Sequence, residues 1–358
     1  MNILIPITEI ATYIVFSILA GHVALQFVPH SYKPIINISK SILLLSTLGI
    51  FLFTLGPVLQ TISYFSGSVG LPLAILSVLT NFQVGKAWLF IGFISVFLWM
   101  TIMLKGSKYL QALCLLLIVL AIGYSSHVAS LSFLVGLVSH SIHFLIVTLW
   151  TGILLHVAWF SKDQQKWPNF LRWFTPFAIV CFIIIILSGL TLMFFVVEPK
   201  DYVKSWVLPY GQMLLLKHIS IIPVIVFAFV NGVLMKKALT NPSFNPRPWI
   251  KLESMMIFIV FYFTSVLGTL SPPHEVEFTV RSEGASSWVE WLLGKDILTT
   301  LNIGLMPYFQ SSLLLFVSLI FLILIVISFK QVRPIIAVLF GFSFILAMYF
   351  GLMLALNV

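Results

Sequence analysis

The chain has 358 residues, of which 60% are hydrophobic and only 8% are charged, and its mean hydropathy is +1.13. This composition excludes a soluble globular domain, because apolar runs recur along the whole chain and leave no segment that could form one. The net charge of +9 does not indicate nucleic-acid binding, since the cations cluster in short loops as the positive-inside rule expects.

Ten apolar segments predict membrane-spanning helices. Each has about 18 residues or more and can cross the ~30 Å of hydrocarbon in a bilayer, and none has the period-two alternation of a barrel strand. The predicted fold class is therefore an all-α polytopic transmembrane helix bundle. The spans are predicted at residues 5–28, 42–63, 87–104, 109–126, 131–159, 174–197, 211–236, 252–271, 307–329 and 334–356.

Lys and Arg predict the orientation of these spans. Thirteen of the 19 fall in loops that follow odd-numbered spans, so this side is predicted to be cytoplasmic and both termini to lie outside. Residues 64–86 are too polar for a span, and we interpret them as a re-entrant or interfacial piece on the outer face. Residues 272–306 form the longest outer loop, in which Trp288, Trp291 and Leu292 have the spacing of a short interfacial helix.

The sequence carries no sign of an enzyme. It contains no G-x-S-x-G, no H-E-x-x-H and no phosphate-binding glycine loop. Its two cysteines, Cys114 and Cys181, lie singly inside predicted spans, and we interpret them as small packing residues. We therefore expect a function in transport or binding rather than in catalysis.

Two histidines of the fifth predicted span are the strongest functional signal. His140 and His143 fall on one helix face together with Trp150 and Thr151. Two imidazoles three residues apart can ligate one metal ion or cofactor from a single helix, and ionisable residues inside a membrane are functional candidates by default. The alternative for this pair is a hydrogen-bonded contact between helices.

Further candidate ligands are predicted on the same outer side of the membrane. Imidazole and thioether groups together suit a borderline or soft metal, above all copper, whereas a hard cation would need more carboxylates. Each residue also has a simpler interpretation, as an interfacial histidine, a packing methionine or an interfacial carboxylate. The candidate metal ligands are His127, His140, His143, His218, Met193, Met213 and Glu9.

His156 is predicted to lie apart from this outer site. It follows His143 by 13 residues, which is about 20 Å along a helix, and it points to the opposite face. His22 is also predicted near the cytoplasmic side. We interpret the two as interfacial histidines, with an inner exit site as the alternative.

A set of short segments runs in order through the first eight predicted spans. They are Ser126-His127, His143 with Trp150-Thr151-Gly152, Phe174 to Pro176 with Ser188-Gly189-Leu190, Tyr210 to Lys217, Asn231, and Glu253 with Leu270 to Pro273. Over about residues 5–275, this set resembles the copper resistance protein D (CopD) family of bacterial inner-membrane proteins. The resemblance implies a multi-pass protein of the plasma membrane that moves copper toward the cytoplasm, often together with a soluble outer copper-binding protein.

The resemblance also implies three parts in the chain. These are a CopD-like membrane domain at 1–275, an outer loop with an interfacial helix at 276–306, and two additional transmembrane helices at 307–358. The leading prediction is copper transport through the outer His/Met site, with the copper ion and the lipid bilayer as partners.

Two other functions stay open at this point. Histidines on facing helices could hold a b-type haem axially, with His127, His140, His143 and His218 as candidates, which would make the chain a membrane redox protein. The other possibility is a metal-independent assembly or scaffold factor in which the histidines are polar contacts between helices.

Overall fold

Helices make up nearly all of the chain, as seen in a computed structural model that describes residues 4–162, 166–240, 245–330 and 334–358. In these ranges, nine helical segments are long and apolar enough to cross a membrane, which confirms the predicted all-α polytopic class. The chain divides into two compact units. One comprises Met1–Leu192 with Ala238–Asn245, and the other comprises Met193–Lys237 with Pro246–Val358.

The first unit is built from nine helices in chain order. A short 3-10 turn, His30–Tyr32, follows the first of them. The helices are α1 (Leu4–Phe27), α2 (Lys40–Phe53), α3 (Leu55–Val69), α4 (Leu71–Asn81), α5 (Gln83–Met103), α6 (Lys108–Tyr124), α7 (His127–Leu131), α8 (Phe133–Phe160) and α9 (Trp167–Phe194), the last of which ends just beyond the unit boundary.

Three features of this unit differ in detail from the predicted spans. The span predicted at 109–126 is α6, which has 17 residues and a length of about 25 Å. The second predicted span consists of α2 and α3, which meet at Thr54. The piece at 64–86 is helical, because α3 continues to Val69 and α4 follows after Gly70, whose φ of 81° suits glycine.

The core of the first unit surrounds α1. This helix packs against α2, α6 and α8, while α5 packs against α2 and α6. The rings of Phe16 and Phe144 join α1 to α8 edge to face, with centroids 4.9 Å apart. Outward-facing apolar side chains such as Phe93 and Leu187 are more than half exposed, as expected for a surface covered by lipid.

The second unit contains six helices and one short strand pair. Two 3-10 turns, Pro199–Asp201 and Lys204–Val207, precede its first helix. The predicted helix around Trp288 is present. The elements are α10 (Pro209–Thr240), α11 (Arg247–Gly268), α12 (Val276–Glu283), α13 (Ser287–Leu293), β1 (Gly304–Leu305), α14 (Phe309–Lys330), α15 (Pro334–Met353) and β2 (Leu356–Asn357), and β1 pairs antiparallel with β2.

The last two helices share the core of the second unit. α14 packs along α15, and α15 also packs against α11. The hydroxyl of Tyr349 in α15 donates to Gln212 Oε1 in α10 over 3.2 Å and accepts from Trp288 Nε1 in α13, also over 3.2 Å. These contacts join α15 to the earlier helices of the unit, and the predicted three-part division of the chain stays a prediction.

Candidate metal centre

The predicted ligands are divided between the two units. Among the described residues, no three His, Cys, Asp or Glu side chains are grouped closely enough to hold a metal ion. A copper site made from the predicted ligands therefore needs a methionine sulfur, or an ion that accepts only two imidazoles. Glu9, His127, His140 and His143 belong to the first unit, and Met193, Met213 and His218 belong to the second.

The imidazole of His143 is held by a serine of α9. His143 Nδ1 lies 3.0 Å from Ser188 Oγ, and the hydroxyl of Ser188 donates to the carbonyl of Ile184 over 2.6 Å. Ser188 Oγ must therefore accept from Nδ1–H, which leaves the imidazole lone pair on Nε2 as the ligating nitrogen. A Cβ at position 189 would lie 3.2 Å from His143 Cε1, so Gly189 makes room for the ring.

The other predicted ligands of the first unit occupy different surroundings. His140 is half-buried on α8, one turn before the half-buried His143, as predicted from the helical period. His127 is exposed at the first residue of α7, where Ser126 caps the helix. Glu9 is half-buried in the second turn of α1. The structure thus brings His140 and His143 together, whereas the roles of His127 and Glu9 stay predictions.

In the second unit, His218 has a partner that the sequence did not indicate. Its Nδ1 lies 2.7 Å from the hydroxyl of Tyr202, in the segment that precedes α10. Burial raises the pKa of Tyr202 to about 12, so the phenol keeps its proton at neutral pH. Gly211 allows this arrangement, because a Cβ there would overlap the backbone of Ser205.

The two methionines lie near the ends of helices. Met193 is in the last turn of α9, and its carbonyl accepts from the N–H groups of Val196 and Val197, each over 2.9 Å. Met213 is half-buried near the start of α10. It precedes His218 by five residues, which places the two side chains about 140° apart around the helix. Their joint use in one site stays a prediction.

The second unit also contains a buried polar pair. Asn231 of α10 donates through Nδ2 to Glu253 Oε2 of α11, and both residues are less than a tenth exposed. Asn231 Oδ1 has no hydrogen-bond partner within the described part of the chain. Buried ionisable groups inside a membrane bundle are costly unless paired, and they commonly serve function.

Residues 168–267 match the family model described as Copper resistance protein D. This match identifies a CopD family protein. It covers nearly all of α9, α10 and α11, so it includes Ser188, His218, Asn231 and Glu253. The family is one of copper resistance and transport in membranes. Comparison with curated proteins and with solved structures gave no match. The resemblance of the preceding residues to the CopD family stays a prediction.

A second histidine pair lies at the other end of α8. The rings of His22 in α1 and His156 in α8 have their centroids 6.3 Å apart. His156 is 1% exposed, so it is enclosed by protein rather than placed at the membrane surface as we first interpreted it. His22 is half-buried. Unlike the outer ligands, these two histidines are neighbours within one unit.

Proposed function

We propose that this CopD family protein carries copper across the bacterial plasma membrane toward the cytoplasm. Copper is captured from outside by His140 and His143, with His127, His218, Met193, Met213 and Glu9 as completing ligands. The observation that carries the proposal is the contact between His143 and Ser188. It joins the predicted histidine pair to the stretch that matches the family, and it leaves Nε2 of His143 in the ligating form.

The exposure of the histidines supports an order of capture. His127 is exposed at the start of α7, while His140 and His143 are half-buried. An exposed imidazole can accept copper first, and the pair on α8 then binds it away from water. A soluble outer copper-binding protein is the proposed donor to His127.

Polar atoms continue along α8 beyond His143. Trp150 Nε1 and Thr151 Oγ1 are buried and have no hydrogen-bond partner among the described residues. Buried polar groups in native structures are usually satisfied by protein, water or an ion. These two groups support a path for the ion along α8 after its release from the outer histidines.

Copper uptake into proteoliposomes tests the proposal. The double variant His140→Ala/His143→Ala is compared with wild type and with His274→Ala, an exposed histidine outside the predicted ligand set. We expect the double variant to lose at least ~10-fold in uptake rate, as ligands that bind the ion are removed, and the control to match wild type. Wild-type uptake by the double variant would contradict the proposal.

A further inference from the structure

α1 and α8 approach each other backbone to backbone at two glycines. A Cβ at Gly21 would overlap the carbonyl group of Gly152 and lie 2.7 Å from His156 Nδ1, and a Cβ at Gly152 would overlap the carbonyl oxygen of Ser17. Small residues allow this close packing of membrane helices. His22 follows Gly21 directly, and His156 stands one turn after Gly152, so the crossing brings the two imidazoles together.

The tautomer of His156 is set by its own helix. Nδ1 lies 2.8 Å from the carbonyl oxygen of Gly152. A carbonyl can only accept, so Nδ1 carries the proton and the lone pair is on Nε2. Nε2 is buried and has no hydrogen-bond partner among the residues that the structure describes. A buried, oriented lone pair of this kind is suited to a metal ion.

Both histidines line one cavity of about 290 Å³. This volume is sufficient for an ion together with several water molecules. One wall is fixed by backbone pairing between the segment after α1 and the end of α8, where the N–H of Asn37 donates to Phe160 over 3.0 Å and the N–H of Lys162 donates to Ile35 over 2.9 Å. The cavity is therefore a formed feature of the first unit.

The lysines near the cavity act partly on the end of α1. Lys33 Nζ donates to the carbonyl of Leu25, and Lys108 Nζ donates to the carbonyl of Gln26 over 3.4 Å. Cations at this position compensate the negative end of the helix dipole. Lys33 and Lys166 also line the cavity, and their remaining positive charge weakens the hold on a metal cation. This charge favours release of the ion over storage.

The spacing of the two rings fits one shared ion. With metal–nitrogen bonds of about 2.0 Å and ring centres roughly 1.1 Å behind the ligating atoms, two imidazoles on opposite sides of an ion have centroids ~6 Å apart. The observed separation is 6.3 Å. Zinc prefers four ligands, whereas the described residues add no third His, Cys, Asp or Glu to this pair. Cu(I), a d¹⁰ ion that accepts two ligands in line, suits the pair.

We infer that His22 and His156 form an inner Cu(I) site from which copper leaves the protein. The site lies at the cation-rich ends of α1 and α8, the side predicted to face the cytoplasm. Cu(I) binds there without a change of oxidation state, by exchange of ligands. The identity of the cargo rests on the proposed function, whereas the site itself rests on the geometry of α1 and α8.

Titration of the full-length protein in detergent with Cu(I), against a competing chromophoric chelator, tests the inference. His22→Gln and His156→Gln are each made in the His140→Ala/His143→Ala background, which removes the outer pair. His30→Ala in the same background is the control, because His30 lines the same cavity from the 3-10 turn. We expect one equivalent of Cu(I) in the background variant and in the control, and its loss in both glutamine variants.

X-ray absorption of the background variant gives an independent readout. We expect two nitrogen ligands and no sulfur around the bound Cu(I). Retention of the equivalent in His22→Gln would overturn the inference, as would a sulfur ligand. His22 is half-buried, so this variant carries the test even if His156→Gln fails to fold.

The inference and the proposed function fail in different ways. If the background variant binds no Cu(I) while wild type binds it and transports copper, the inner site is wrong and the proposed function stands. If the background variant keeps its two-nitrogen Cu(I) but transports copper at the wild-type rate, the outer capture site is wrong and the inner site stands.

Discussion

Gly21 and Gly152 meet backbone to backbone where α1 crosses α8, and this contact sets the separation of His22 and His156. Without Cβ atoms at both positions, the two helices can pack closely enough for imidazoles on different helices to line one cavity. The glycine crossing therefore links the packing of the first unit to its chemistry.

Gly152→Ala is expected to destabilise the protein by about 1–3 kcal/mol, the usual cost of overpacking a core. The added methyl group would overlap the carbonyl oxygen of Ser17, and backbone cannot rotate away as a side chain can. The measurement is the melting temperature in detergent. The control is Gly67→Ala in α3, where no atom lies within 4 Å of the added Cβ. Equal melting temperatures for the two variants would show that the crossing is not tightly packed.

Ser188→Ala is expected to weaken copper binding at the outer site about 10- to 100-fold, the usual effect of losing a hydrogen bond that orients a metal-ligating histidine. Folding should change little, because the hydroxyl otherwise bonds only to its own helix. Thr191→Ala, on the same helix, is the matched control, since its hydroxyl donates to the carbonyl of Leu187 over 2.9 Å. Copper affinity is measured by competition with a chelator, and equal affinities for both variants would contradict this role of Ser188.

Asn231→Leu is expected to destabilise the protein by about 1–3 kcal/mol, because Glu253 would stay buried without its amide donor. The double variant Asn231→Leu/Glu253→Leu should recover part of this loss, since no polar group is then left unsatisfied. Unfolding of the two single variants and the double variant forms a cycle that isolates the coupling between the residues. Additive effects would contradict a direct interaction.

Glu277 is expected to make the stability of the outer loop depend on pH. Hydrogen bonds from the side chain and backbone of Thr300, with further bonds from Thr299 and Arg281, lower the pKa of Glu277 from 4.5 to about 2. Because the pKa is lower in the folded state, the stabilisation is fully present above about pH 4.5 and is lost as the pH falls through about 2.

Amide exchange at Thr300, whose N–H donates to Glu277 over 2.6 Å, reports this stabilisation. Glu277→Gln should raise the exchange rate at neutral pH. Wild type, corrected for intrinsic rates, should show the same increase only in acid. Glu283→Gln changes an exposed carboxylate at the end of the same helix and is the control. Unaltered exchange in Glu277→Gln would refute the prediction.

Hydropathy predicted the spans because a helix in contact with lipid must be apolar over about 20 residues. The pairing of His140 with His143 was equally predictable, since it follows from the helical period alone. The contacts of His218 with Tyr202 and of His22 with His156 depend on which segments pack together, and hydropathy carries no such information. Glycines directly before His22 and one turn before His156 were the available signal, because small residues mark close crossings of membrane helices.

The central claim is that the chain binds copper through His140 and His143. Its most direct test is elemental analysis with an absorption spectrum of protein purified after growth with added copper, for wild type and for His140→Ala/His143→Ala. The account predicts bound copper without a Soret band in wild type and less copper in the double variant. Bound haem without copper would contradict the account, and so would an unchanged copper content in the double variant.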